Sequence, residues 1–94
     1  MNKNSLIQET KDAFEILYMP MAIMKQRLNG QDFLEVAIEI MREAKRNNVF
    51  EEHKYLIATT LVNEFNKKLN PRMTEEQKQA FIKVLTGNSM FYKI

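Results

Sequence analysis

The chain contains a single histidine, His53, which lies in the run Glu51-Glu52-His53-Lys54. A histidine acts as a general base or a metal ligand only when suitable partners are brought close to it. The sequence has no cysteine and no glutamate three residues before the histidine. We therefore predict that His53 is an exposed residue on the first turn of a helix, and that the protein binds no metal or cofactor.

Three glutamates are spaced four residues apart, at Glu35, Glu39 and Glu43. This spacing places their carboxylates on one side of a helix, where they could form an acidic patch. Because Arg42 and Arg46 are interleaved with them, we predict a solvated helix face with local ion pairs. The two glycines are isolated, so no phosphate-binding loop is present. We predict that the protein is not an enzyme and has no small-molecule substrate.

Four basic residues surround Pro71: Lys67, Lys68, Arg72 and Lys78. Three or four phosphate contacts would give weak, salt-sensitive binding with little sequence preference. The segment lacks the short glycine turn of a helix-turn-helix, and no aromatic side chains alternate with its basic side chains. Nucleic-acid binding through this basic corner is therefore the alternative function and not the leading one.

Large apolar side chains concentrate in two places that need not be core. They are Tyr18, Met19, Met21 and Met24 around Pro20, and Phe91 and Tyr92 near the C-terminus. The chain has seven methionines, whose flexible side chains adapt well to a partner surface. We predict that these six residues bind a larger protein or a second copy of the chain. The competing interpretation is that they pack inside the bundle.

The elements that must position these residues are helices. With 94 residues the chain forms one domain, and apolar residues recur at spacings of three and four. We predict an all-α fold, a compact bundle of four to five helices over residues 1–87, followed by an apolar tail over 88–94. The expected helices are Ser5–Tyr18, Met21–Leu28, Gln31–Arg46, Val49–Leu69 and Thr74–Gly87.

Prolines, glycines and capping residues set these boundaries. Pro20 is expected to end or kink the first helix, and Gly30 to follow the end of the second. Asn48–Glu51 resembles a capping box for the fourth helix, and Thr74–Gln77 is a clearer one for the last. Apolar residues cover more than half of the circumference of the third helix. We therefore predict that the third and fourth helices form the centre of the bundle.

Charge and hydropathy indicate a cytoplasmic protein. Fourteen basic and twelve acidic residues give a formal charge of +2, which does not by itself require a polyanionic partner. Glu9, Asp12 and Glu15 interrupt any apolar run of a signal peptide. The longest apolar stretch, Ile16–Met24, is far shorter than the roughly 20 residues of a membrane-spanning helix. The absence of cysteine suits a reducing compartment.

In outline the chain is similar to small phage-encoded regulators such as the T-even anti-sigma proteins. It is more loosely similar to the four-helix bacteriocin immunity proteins. The resemblance rests on size, helix number, the opening Met1-Asn2-Lys3-Asn4 and the helix start Thr74-Glu75-Glu76. It implies a regulator or inhibitor that docks on a larger protein, and it transfers no functional residue.

Overall fold

The part of the chain that the structure describes folds into four α-helices. The computed structural model describes residues 3–25, 28–68 and 71–87. Within these ranges the helices are α1 (Lys3–Met24), α2 (Gly30–Arg46), α3 (Phe50–Lys68) and α4 (Glu75–Gly87), and no strand is present. The predicted all-α bundle is confirmed, with four helices where four to five were expected. The apolar tail, residues 88–94, lies outside the described residues.

The predicted boundary at Pro20 is wrong, because α1 continues through this proline. After Pro20 the next turn is intact, and the Lys25 amide donates to the Met21 carbonyl at 2.8 Å. Proline removes one helical hydrogen bond, but its fixed φ is itself helical. Tyr18 and Met21, on either side of Pro20, both pack against the core. This packing offsets the lost bond, so the expected separate helix Met21–Leu28 does not form.

Gly30 is the first residue of α2, whereas we predicted that it follows the end of the expected helix Met21–Leu28. Asn29 is the N-cap: the Asp32 amide donates to its side-chain oxygen at 3.0 Å, and the Asn29 amide donates to the Asp32 carboxylate at 2.9 Å. A β-carbon at Gly30 would lie 3.1 Å from Cζ of Phe81. Glycine at this position therefore accommodates the close approach of the Phe81 ring, and its φ is not positive.

The turn between α2 and α3 is closed by Asn48, whose φ is +61°. The Asn48 amide donates to the Lys45 carbonyl at 3.2 Å, and the Val49 amide donates to the Ala44 carbonyl at 3.0 Å. These two bonds form a Schellman motif, with asparagine in the left-handed position that glycine usually takes. The predicted Asn48–Glu51 capping box is wrong, because Asn48 ends α2 and does not cap α3.

The predicted capping box of the last helix is confirmed at α4. The Gln77 amide donates to the Thr74 hydroxyl oxygen at 3.1 Å, and the Thr74 amide donates to the Gln77 side chain at 3.0 Å. Two of the four otherwise unsatisfied amides at this helix start therefore have a partner.

The centre of the core is a group of four phenylalanines, one from each helix. Phe33 of α2 and Phe65 of α3 stack with ring centroids 4.4 Å apart. Phe81 of α4 meets both rings edge-on at 5.3 and 5.9 Å, and Phe14 of α1 meets Phe33 at 6.2 Å. As predicted, α2 and α3 are central, because each of them packs against the other three helices.

Candidate protein-interaction surface

An exposed apolar face runs along the C-terminal half of α1. Ile16, Met19, Ile23 and Met24 are 71%, 47%, 79% and 85% exposed. Their spacing puts them on one side of the helix, away from the buried Phe14. We call these four residues the α1 stripe.

The predicted partner-binding residues divide into three groups. Met19 and Met24 belong to the α1 stripe and are exposed as expected. Tyr18 and Met21 are half-buried and pack against the core, which is the competing interpretation of the sequence. The remaining two, Phe91 and Tyr92, lie outside the described residues.

Tyr18 has two partners that hold its ring in place. The ring stacks on Phe14 with centroids 4.7 Å apart, and the Lys68 ammonium lies 5.5 Å from its centroid. Aromatic stacking and a cation over the ring both favour this buried orientation. Tyr18 is therefore a structural residue that connects α1 with α3.

The prediction did not include Ile16 and Ile23 in the binding site, although they are the most exposed apolar residues of α1 apart from Met24. The signal was present in the sequence, because Ile16, Met19 and Ile23 have helical spacing. It was hidden by the expectation that the helix ends near Pro20, which would have placed Ile16 and Ile23 on different helices.

A groove of about 350 Å³ lies between α1 and α2, beside the α1 stripe. We call it the α1/α2 groove; its apolar lining consists of Leu6, Ala13, Leu17, Ile40, Ala44, Val49 and Ile57. Thr10 also lines it, but its hydroxyl donates to the Leu6 carbonyl at 2.8 Å. Leu17 is 38% exposed, so the α1/α2 groove is open to solvent at this residue.

Three carboxylates line the rim of the α1/α2 groove: Glu9, Glu39 and Glu43. Arg46 forms ion pairs with Glu43 and, at 3.7 Å, with Glu39. Arg42 lies 3.6 Å from Glu39. The predicted ion pairs along this face of α2 are confirmed. The groove therefore combines an apolar interior with three acidic side chains at its rim.

The C-terminal end of α1 is tied to the start of α2. Lys25 donates a hydrogen bond to the buried carboxylate of Asp32, which also accepts from the Asn29 amide. The hydrogen bond from Lys25, and after it the one from the Asn29 amide, lowers the pKa of Asp32. The Lys25–Asp32 hydrogen bond also raises the pKa of Lys25. The contact holds the end of α1 that carries Ile23 and Met24 against α2.

Lys68 of the predicted basic corner forms ion pairs with residues of its own chain. Its ammonium lies 2.7 Å from a Glu15 oxygen and 3.4 Å from a Glu64 oxygen. The hydrogen bond to Glu15 is the main reason why the pKa of Lys68 is raised. Two carboxylates thus already balance this charge, which disfavours a phosphate contact here.

The other three members of the basic corner differ in exposure. Lys67 and Arg72 are exposed, whereas Lys78 is half-buried. Their role in nucleic-acid binding stays a prediction. Because Lys68 is already paired, the corner has fewer available charges than the sequence indicated.

His53 is less exposed than predicted, since only 15% of its side chain is accessible, and its Nε2 lies 3.8 Å from Glu52.

Over residues 3–25, 28–68 and 71–87, no group of three potential metal-binding side chains comes together. None of the helices in this part of the chain has the length and hydrophobicity needed to cross a membrane.

A second groove, the α2/α4 groove, has a volume of about 390 Å³. Its lining is Gly30, Leu34, Phe65, Met73, Gln77, Ala80, Phe81 and Val84. Val84 is 38% exposed, the same fraction as Leu17 in the α1/α2 groove. The two grooves therefore offer a matched pair of positions for mutagenesis.

The fold and the surface together define an all-α four-helix bundle with an exposed apolar face on its first helix. No protein-family model, curated protein or solved structure matches this chain.

Proposed function

We propose that this protein is a non-enzymatic protein-interaction module, a small regulator or inhibitor that acts in the cytoplasm by docking the α1 stripe on a larger protein. The observation that supports this proposal is the exposure of four large apolar side chains, between 47% and 85%, within one helical segment. Contiguous apolar patches on soluble proteins mark interaction sites more often than scattered exposed residues do.

The energy available from this surface is sufficient for specific binding. Burying roughly 500 Å² of apolar surface would contribute about 12 kcal/mol before the cost of association is subtracted. Met19 and Met24 are flexible and polarizable, so they can adjust to the shape of a partner. The rest of the stripe is β-branched and less adaptable, which favours a defined docking geometry.

The apolar exposure elsewhere is more scattered. Tyr55 on α3 is 62% exposed and Val84 on α4 is 38% exposed, and each lies on a different helix from the other. Single exposed apolar residues are common on protein surfaces. The α1 stripe is therefore the surface most suited to docking among the residues described.

Affinity capture from host lysate tests the proposal. The wild-type chain should retain a partner, and the double variant Ile16→Asp with Ile23→Asp should reduce its recovery at least roughly tenfold, the effect of about 1.4 kcal/mol. Tyr55→Asp introduces the same charge on another helix and should retain the partner. Far-UV circular dichroism should be the same for all three proteins, since the substituted residues are exposed.

Three outcomes would contradict the proposal. If the double variant retains the partner as well as the wild type does, the α1 stripe is not the docking surface. If the material retained is nucleic acid that is released by moderate salt, and Lys67→Glu with Arg72→Glu removes it, the alternative function is correct. A second copy of the chain as the retained partner would make the stripe a homodimer interface.

A further inference from the structure

The α1/α2 groove differs from the α1 stripe in two respects that identify what it could bind. The groove is concave, whereas the stripe is a convex helix surface, and acidic side chains line the groove on both its α1 and its α2 side. We infer that the α1/α2 groove binds a helical segment of the partner whose apolar side chains enter the groove and whose edge carries lysine or arginine. This inference rests on the proposed function and specifies the chemistry of the partner.

The dimensions of the groove fit a helix of about three turns. Along α1 the lining extends from Leu6 to Leu17, which at about 1.5 Å per residue corresponds to roughly 16 Å. Amphipathic helices dock in such grooves through apolar residues at i, i+3 or i+4, and i+7. Ala13 on one wall and Ala44 on the other have small side chains, which leave depth for these residues.

The interior of the groove favours apolar groups. The hydroxyl of Thr10 is already bonded to the Leu6 carbonyl, so its proton is not available to a ligand. Apart from Asn47 at the end of α2, the other side chains between the rims are aliphatic, including Ile40 and Ile57. A polar group buried there would lose its hydration without gaining a donor from Thr10, which disfavours a polar ligand.

The edge of the groove favours positive charge. Glu9 lies on the α1 side, and Glu39 and Glu43 lie on the α2 side. Arg46 pairs with both glutamates of α2 and Arg42 pairs with Glu39, so the charge on the α2 side is largely offset. Glu9 on the α1 side therefore provides the negative charge that a basic partner would meet. The C-terminal end of α2 adds partial negative charge close to Asn47. Electrostatic complementarity of this kind selects a partner by its charge.

A peptide selection tests this inference. The full-length chain is used to select from a displayed library of helical peptides with fixed leucines and randomised flanking positions. We expect lysine and arginine to be enriched at the flanking positions of the selected peptides. Leu17→Lys should weaken the best peptide roughly tenfold, about 1.4 kcal/mol, because it adds a like charge at the groove. Val84→Lys, at an equally exposed position in the α2/α4 groove, should leave binding unchanged.

A charge reversal tests the rim separately. Glu9→Lys should weaken a selected basic peptide several-fold at low salt, and should improve binding of the same peptide with glutamates in place of its lysines. Glu76→Lys, an exposed substitution on α4, is the control and should alter neither peptide. Glu9→Lys changes only an exposed side chain, so its thermal unfolding should remain close to that of the wild type. Glu76 lies in the first turn of α4, so Glu76→Lys should lower the melting temperature slightly through the helix dipole.

Several results would overturn the inference. The inference fails if the selected peptides show no enrichment of lysine or arginine, if their binding survives Leu17→Lys, or if the selection enriches no peptide. It also fails if sedimentation experiments show that a second copy of the chain occupies the groove. The proposed function fails separately, because it depends on the Ile16→Asp, Ile23→Asp capture experiment. If those substitutions abolish capture while Leu17→Lys and Glu9→Lys leave it intact, the stripe is the docking surface and the groove is not.

Discussion

The N-terminal and C-terminal halves of α1 differ in what they present to solvent. In the N-terminal half, Leu6 and Phe14 are buried, and the outer face is polar: Gln8 donates to Asp12 at 2.9 Å. In the C-terminal half, the outer face carries Ile23, which is 79% exposed. The first half has the distribution of an ordinary amphipathic helix, and the second half is apolar on both sides.

This difference separates residues that stabilise the bundle from residues that are available for binding. A buried apolar side chain contributes to the free energy of folding, whereas an exposed one contributes little until a partner covers it. Substitutions in the two halves of α1 should therefore have opposite consequences.

The largest effect is expected at Phe14, which is fully buried and packs on Phe33 and Tyr18. Phe14→Ala should reduce the free energy of unfolding by about 3–5 kcal/mol. Ile23→Ala should change it by no more than about 0.5 kcal/mol, because the side chain is exposed. Chemical denaturation measures both values. Equal losses for the two variants would mean that Ile23 is a core residue.

A smaller effect is expected at the helix caps. Asn29→Ala and Thr74→Ala should each cost about 1 kcal/mol, because each removes a side-chain acceptor for a helix amide. In a domain of this size, that loss lowers the melting temperature by about 4–8 °C. Thermal unfolding of Thr74→Ser, which keeps the hydroxyl, is the control. A loss of the same size in that variant would exclude the hydrogen bond as the cause.

The acid dependence of stability is the smallest expected effect. The pKa of Asp32 is lowered in the folded protein, so its stabilising contribution is present above its unfolded pKa of about 3.9 and is lost as the pH falls through the lower folded value. Asp32→Asn should be less stable than the wild type at pH 7, and its stability should fall less between pH 5 and pH 2. Glu76→Gln is the matched control. Identical pH profiles for Asp32→Asn and the wild type would contradict the assignment.

Features set by neighbouring residues in the sequence were predicted well. The range of α2, the capping box Thr74–Gln77 and the break at Asn47 and Asn48 depend on hydrogen bonds across three to five residues. The apolar periodicity likewise identified the helical faces that meet in the core. These signals depend on short-range geometry, which is why they can be recognised without knowing the fold.

Features that depend on distant contacts were missed. Lys68 forms an ion pair with Glu15, which is 53 residues away in sequence, so no local pattern could indicate that pair. The continuation of α1 through Pro20 depends on packing of Tyr18 and Met21 against other helices. Gly30 was misassigned because its role is set by Phe81, in a different helix. The same contacts decide which of the predicted binding residues are exposed.

Pro20 has a consequence for the motions of α1. It has no N–H to donate to the Ile16 carbonyl, so the helix lacks one bond in the middle of the α1 stripe. Helical segments with fewer protected hydrogen bonds and little buried surface open locally at lower free energy than the core does. We therefore expect the last turn of α1 to open at a lower free energy than the core around Phe14, with the Lys25–Asp32 contact opposing this opening. Such opening would let the backbone beneath the stripe adjust while the rest of the bundle remains folded.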